Sequence, residues 1–243
     1  YLIKKRGKVE LPHLGLVKSI RSPGNSLELT NESDVYRVCS DDASKKADIF
    51  INDIGVSIKQ KGSTFSFNRL QRANLHGVFK ALGFSSCKEK LALIDQEVWK
   101  FHAGKLDRRN RPWKNFFEKE DFKSLLKFLM MDGSPNKGRS AYPAKLVLEA
   151  PPWAIKRKNI SLYDFDEYFS KFKGSFKIAI RRQWIGQSSN SEHKRALGLS
   201  KKLENKPWVF DEAVGFPRKG WNISWAESDR KTVYFLMIEK EAG

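Results

Sequence analysis

Residues Ala47 to Arg69, ADIFINDIGVSIKQKGSTFSFNR, place two short apolar runs on either side of a turn. Asp48-Ile49-Phe50-Ile51 and Val56-Ser57-Ile58 are rich in strand-forming residues, and Asn52-Asp53-Ile54-Gly55 has turn chemistry, so the stretch predicts a hairpin. Side chains alternate along a strand, which sends Val56 and Ile58 toward the core and turns Ser57 and Lys59 to the other face. Asp48 opens the first strand and folds back beside that Ser/Lys face. A carboxylate next to a lysine suits a magnesium ion with a phosphate held over it. The same residues would equally serve as an ordinary surface ion pair.

Bulk properties narrow the partners. The chain has 243 residues with 40% hydrophobic content, enough for a sizeable core. Its 46 basic and 28 acidic residues give a net charge of +18, and the isoelectric point is near 9.8. That balance favours a polyanion, with nucleic acid first and a membrane surface second. No run approaches the roughly 20 apolar residues of a membrane span, and no amphipathic basic helix suggests an anchor. Cys39 and Cys87 lack metal-ligand spacing, and His13, His76, His102 and His193 stand apart in sequence, so no zinc site or disulfide framework is expected. A reducing cytoplasmic setting fits. The absence of a Gly-rich loop followed by Lys argues against a nucleotide cofactor.

Outward from the hairpin, residues 1 to 46 are loop-rich. Helical periods cover Leu70 to Leu82, Lys88 to Phe101 and Glu118 to Met131, with basic Gly104 to Pro112 between the last two. From Ala144 onward short runs predict strands: Lys145 to Leu148, Phe176 to Ile180, Asn222 to Trp225 and Thr232 to Ile238. Helices are expected at Ser161 to Phe172, with Asp164 and Asp166 in its first turn, and at Ser191 to Leu203. Trp99, Trp113, Trp153, Trp184 and Trp208 lie in or beside apolar runs and are expected in or at the edge of the core. The organisation predicts one mixed domain over 1–243: a loop-rich part (1–46), a hairpin with helices (47–143) and a strand-rich part (144–243).

An Asp opening one strand and a residue-x-Lys triplet on the next resembles the PD-(D/E)xK nuclease core. The order Lys46-Ala47-Asp48-Ile49, then Ser57-Ile58-Lys59, then Phe67-Asn68, followed by helices, resembles the MspI-like type II restriction endonucleases, which include enzymes cutting CG-centred four-base sites. The likeness extends to the C-terminal segment Arg218 to Trp225 and the run Val233 to Ile238. The resemblance implies an α/β fold with a central mixed sheet flanked by helices and a C-terminal DNA-recognition hairpin. It implies Mg²⁺-dependent hydrolysis of double-stranded DNA at a short GC-containing site, leaving 5′-phosphate ends, by a monomer or weak dimer. Carried over, Asp48 and the Ile58 carbonyl are Mg²⁺ ligands, and Lys59 activates water and offsets charge on the phosphorane. Ser57 stands where the wider class has an acid and would hold a metal-bound water. Glu32, Asp34, Asp41, Asp42 and Asp53 remain open as completing acids.

Recognition would come from base-edge contacts, with most basic residues neutralising phosphate. The segment after the catalytic Lys supplies Gln60, Lys61, Ser63, Phe67, Asn68 and Arg69, with Phe67 as a wedge candidate. Arg181, Arg182 and Gln183, and then Lys219, Asn222, Ser224, Ser228, Arg230 and Lys231, are the other candidates. A non-catalytic DNA-binding module and a structure-directed repair or recombination nuclease of the same fold are the alternatives.

Overall fold

The structure is a computed structural model; it describes residues 1–24, 27–38, 45–211, 226 and 229–242, with the backbone alone at Phe67 and Asn68. The chain divides into two compact units, each assembled from separate segments.

The first unit comprises Tyr1–Phe65, Lys123–Phe176 and Lys240–Gly243. Its five-stranded sheet runs in the order Ser161–Asp164, Leu146–Ala150, Ile54–Gln60, Ile49–Ile51, Ile20–Arg21. The pairing of Leu146–Ala150 with Ile54–Gln60 is parallel and the others are antiparallel, so the sheet is mixed. The expected hairpin is present, with Ile49 opposite Val56 and Ile51 opposite Ile54. Its turn is tighter than the sequence suggested, because Ile54 and Gly55 already belong to the second strand. Only Asn52 and Asp53 turn, with φ of 47° and 65°, the left-handed pair that a two-residue hairpin needs and that Asn and Asp tolerate. Asn52 is further fixed by its side chain, which accepts from the Lys18 and Ser19 amides and donates to the Leu14 and Leu16 carbonyls.

One face of this sheet buries Ile51, Val56, Leu146, Leu148 and Leu162 against Val9, Leu11, Val17, Ile20 and Leu29. Ile58 departs from expectation. It has the correct parity for that face but is 42% exposed, because it lies past the packed layer at the rim of a cavity. Gly55 is required for close approach, since a Cβ there would stand 2.2 Å from the Pro143 carbonyl oxygen. A Gly55→Ala protein is therefore expected to lose about 1–3 kcal/mol of stability, read as a lower urea midpoint.

The predicted helix from Ser161 is a strand first. Ser161–Asp164 pairs with Leu146–Ala150, and the helix is Phe165–Phe172. Asp164, in extended backbone, is its N-cap: its carboxylate accepts from the Glu167 amide, and Glu167 returns the bond to the Asp164 amide. The predicted helix Glu118 to Met131 is realised as Lys119–Lys127 and then a π-helical turn, Phe128–Asp132. Trp153 is 76% exposed rather than in the core.

The second unit comprises Ser66–Phe122 and Lys177–Glu239. Its sheet has the order Val209–Phe210, Thr232–Lys240, Phe176–Trp184, Asn110–Pro112, and Phe65–Leu70 also pairs with Thr232–Lys240. Two expected loops are thus strands: the end of the basic connector, and the segment carrying Phe67, Asn68 and Arg69. Helices Arg72–Ala81, Cys87–His102 and Asn190–Ser200 match the predicted periods within a few residues. Gly83, with φ of 73°, closes the first of them as anticipated. Pro207 lies inside the 3-10 turn Leu203–Trp208 that follows the last helix. Trp208 is fully buried, donates to Asp95, and shares that carboxylate with a two-pronged Arg72 contact. Phe79, Phe84, Phe117, Phe122 and Trp113 form an aromatic cluster, with Trp113 and Phe122 stacked at 4.6 Å. Trp99 is 47% exposed, against expectation. The expected strand Asn222 to Trp225 lies outside the described residues.

Candidate active site

The hairpin's geometry gathers Asp48, Ser57 and Lys59. Asp48 sits one residue before its strand, and its amide donates to the Val56 carbonyl at 2.9 Å, which extends the ladder and sets Asp48 across from Ser57. Ser57 Oγ donates to Asp48 Oδ2 at 3.2 Å, and Lys59 Nζ donates to Ser57 Oγ at 2.9 Å. The result is a chain of amine, hydroxyl and carboxylate along one sheet face. Ser57 is buried, Lys59 is half-buried and Asp48 is exposed, so the chain leads from the interior to the surface. Burial pushes the Lys59 amine down from its ordinary value, and the Asp48 charge opposes that shift.

The backbone contact to Asp48 comes from Ile58, whose amide donates to Oδ2 at 2.5 Å. Both the amide and the hydroxyl fall on Oδ2, and Oδ1 has no hydrogen-bond donor among the described residues. An exposed carboxylate oxygen beside a serine hydroxyl is a hard-oxygen donor set, the kind Mg²⁺ takes while keeping several waters. Asp48, Ile49 and Ile58 also line an apolar cavity of about 430 Å³, in which Asp48 is the charged member among the described lining residues.

Two residues here were not singled out from sequence. Lys46, two positions before Asp48 and so of the same parity, is 8% exposed and donates to the Leu129 carbonyl at 2.9 Å. Burial and the positive charge of Lys59 push its amine down to about 8. Glu149 is the second. In the parallel ladder it is the register partner of Lys59, as Val147 is of Ser57, which puts Glu149 on the Ser57/Lys59 face. It is 3% exposed, accepts from Tyr168 Oη at 3.0 Å and lies 3.4 Å from Lys240 Nζ. Its sequence signal was a single acid within the apolar run Leu146 to Ala150.

The other acids left open do not join Asp48. Glu32 pairs with Lys4, Asp53 with Arg21, and Asp34 caps the short helix Glu32–Val35 through the Thr30 and Asn31 amides. Asp41 and Asp42 lie outside the described residues. Isolated histidines were expected, yet the fold brings His13 to Asp164 and Glu167, with ligand atoms within 4.8 Å of one another. Those carboxylates form the helix capping box, and Glu167 is also 2.8 Å from His13 Nε2, so the group is accounted for by local bonding.

No family model matches the chain, and no curated protein matches it in sequence. Among solved structures, restriction endonuclease MspI in complex with its cognate DNA aligns at 11% identity with a TM-score of 0.28. The alignment covers 81% of this chain and 64% of that one, so the chain spans less than two thirds of that protein's length. No helix among the described residues is long and apolar enough to cross a membrane.

The recognition candidates divide between the units. In the first, Gln60 and Lys61 are exposed, and Ser63 closes a local turn by donating to the Gln60 carbonyl at 2.8 Å. In the second, Phe67 and Asn68 lie on the strand Phe65–Leu70. Arg69 is turned onto the Phe235 ring at 4.8 Å, and burial lowers its pKa, helped by the nearby charge of Arg195. Arg181 is ion-paired with the buried Glu239, Arg182 lies over the Trp184 ring, and Gln183 is 4% exposed. Arg230 is half-buried, and Lys231 pairs with Asp211 at 2.6 Å. Lys219, Asn222, Ser224 and Ser228 lie outside the described residues.

Proposed function

We propose that the protein is a Mg²⁺-dependent endonuclease that hydrolyses phosphodiester bonds of double-stranded DNA at a short specific site. The observation that carries this reading is the Lys59–Ser57–Asp48 chain, which ends on an exposed carboxylate with one oxygen uncommitted. Asp48, with Ser57 or the Ile58 carbonyl beside it, would hold the ion. Bound Mg²⁺ would supply charge to the scissile phosphate and lower the pKa of the attacking water. Ser57 keeps the Asp48 carboxylate and the Lys59 amine in fixed relation. Lys59, lowered by burial, is suited to exchange a proton with that water and to offset charge on the phosphate oxygens. The net charge of +18 supplies non-specific attraction to DNA, which weakens as salt rises.

The test is digestion of supercoiled plasmid in Mg²⁺ and in EDTA by the parent and by Asp48→Ala, with DNA retention followed by gel shift. Discrete bands from the parent in Mg²⁺ only, and none from the bound variant, are expected. Equal cutting by the variant removes this site from the chemistry. DNA binding by the parent with no cutting under any divalent cation makes the protein a non-catalytic DNA-binding module. Branch-selective cutting makes it structure-directed.

A further inference from the structure

The second unit contains a cavity of about 580 Å³ beside the strand Phe176–Trp184, within the size range of small-ligand sites. Its walls combine Phe101, Ile180 and Trp184 with arginines and the pair Gln187–Glu192. Two lining side chains each keep one buried polar atom with no hydrogen-bond partner among the described residues: Trp184 Nε1, a donor, and Gln187 Oε1, an acceptor. Gln187 is only 4% exposed. Buried polar groups almost always have partners, so a cavity that retains one donor and one acceptor is matched to a ligand presenting the complementary pair. Gln187 cannot satisfy itself by flipping, because its Nε2 is committed to the Glu192 carboxylate and its carbonyl is the end left over. The arginines are not equivalent. Arg181 is tied to Glu239 and Arg182 is spread over the Trp184 ring at 5.1 Å, whereas Arg109 is exposed at the rim.

We infer that this cavity binds a single nucleotide whose base is unpaired. The planar base lies against the aromatic wall and exchanges hydrogen bonds with Trp184 Nε1 and Gln187 Oε1, while its phosphate meets Arg109. A base inside a duplex has its edge and faces occupied, so DNA would present this ligand as an extruded or single-stranded nucleotide. The choice of ligand class rests on the nucleic-acid reading above; the pocket itself does not depend on cleavage at Asp48.

The experiment titrates dAMP, dCMP, dGMP and dTMP into the full chain in EDTA by calorimetry, with inorganic phosphate and deoxyribose 5-phosphate as base-free probes. At least one nucleotide is expected to bind about tenfold or more tightly than either base-free probe, the equivalent of one well-made hydrogen bond. Gln187→Leu should remove that preference, and Arg109→Ala should weaken nucleotide and phosphate alike. The exposed Arg109 position guards against misreading an unfolded Gln187 variant. Absence of binding by all four nucleotides at millimolar concentration, or equal binding of deoxyribose phosphate, overturns the assignment. Plasmid cutting by the same preparation separates the two readings: cutting without nucleotide binding refutes only the pocket, and nucleotide binding without cutting refutes only the nuclease.

Discussion

A Lys59→Met protein is expected to bind DNA and to cut it ~10²-fold or more slowly than the parent, the usual consequence of removing one preorganised charge-stabilising donor. Methionine keeps most of the stem's volume and removes the amine, so Ser57 loses the donor at 2.9 Å while the strand pairing is undisturbed. Lys59→Arg should not restore the rate. A guanidinium stays charged at any working pH and cannot take a proton from water, and its planar fork does not fit a half-buried single-donor position. Single-turnover cleavage of a plasmid or a fixed duplex measures both. A Lys59→Met protein cutting at the parent rate would end the proposed role for this lysine.

Lys240→Met is expected to cost about 3–5 kcal/mol of stability, because it strands a carboxylate that is shielded from water. Lys240 and Glu149 are each about 4% exposed by side chain and 3.4 Å apart. The ammonium also lies 4.1 Å from the Phe172 ring centre and 5.4 Å from that of Phe65. Tyr168 donates to the same Glu149 oxygen, and burial together with the Glu149 charge raises its phenol far above its ordinary value. With the lysine gone, one phenolic hydrogen bond must support a buried anion. Adding Glu149→Gln should recover part of the loss, since a neutral amide still accepts from Tyr168. Urea unfolding of the parent, both single variants and the double variant reads the coupling. Additive effects would show that the two groups do not support one another.

The sequence made the hairpin legible because strand alternation and turn chemistry are local properties. The same locality set its limits. Ile58 follows the core parity of Val56, and only the extent of the packed layer leaves it exposed. Ser161 to Asp164 reads as the start of a helix because Asp164 suits a first turn, yet a capping residue stands in extended backbone and can end a strand. Glu149 and Lys240 could not be joined to Lys59 by any local rule, since their association depends on the parallel register of distant strands. His13 met Asp164 and Glu167 for the same reason. Arg69, Arg181 and Gln183 read as outward-reaching residues, and neighbours contributed from elsewhere in the second unit turn or enclose them.

The parallel pairing of Ile54–Gln60 with Leu146–Ala150 also sets a timetable for folding. On a ribosome, the hairpin of the first unit can form early, but its central partner is synthesised much later, and Lys240 later still. Closing such long loops costs chain entropy before any contact rewards it, so this unit should fold slowly for its size and expose an unpaired strand edge meanwhile. A strand edge left waiting is prone to pairing with another chain. Recombinant yield should therefore rise when translation is slowed or the temperature lowered, and inclusion bodies are the expected outcome of rapid expression.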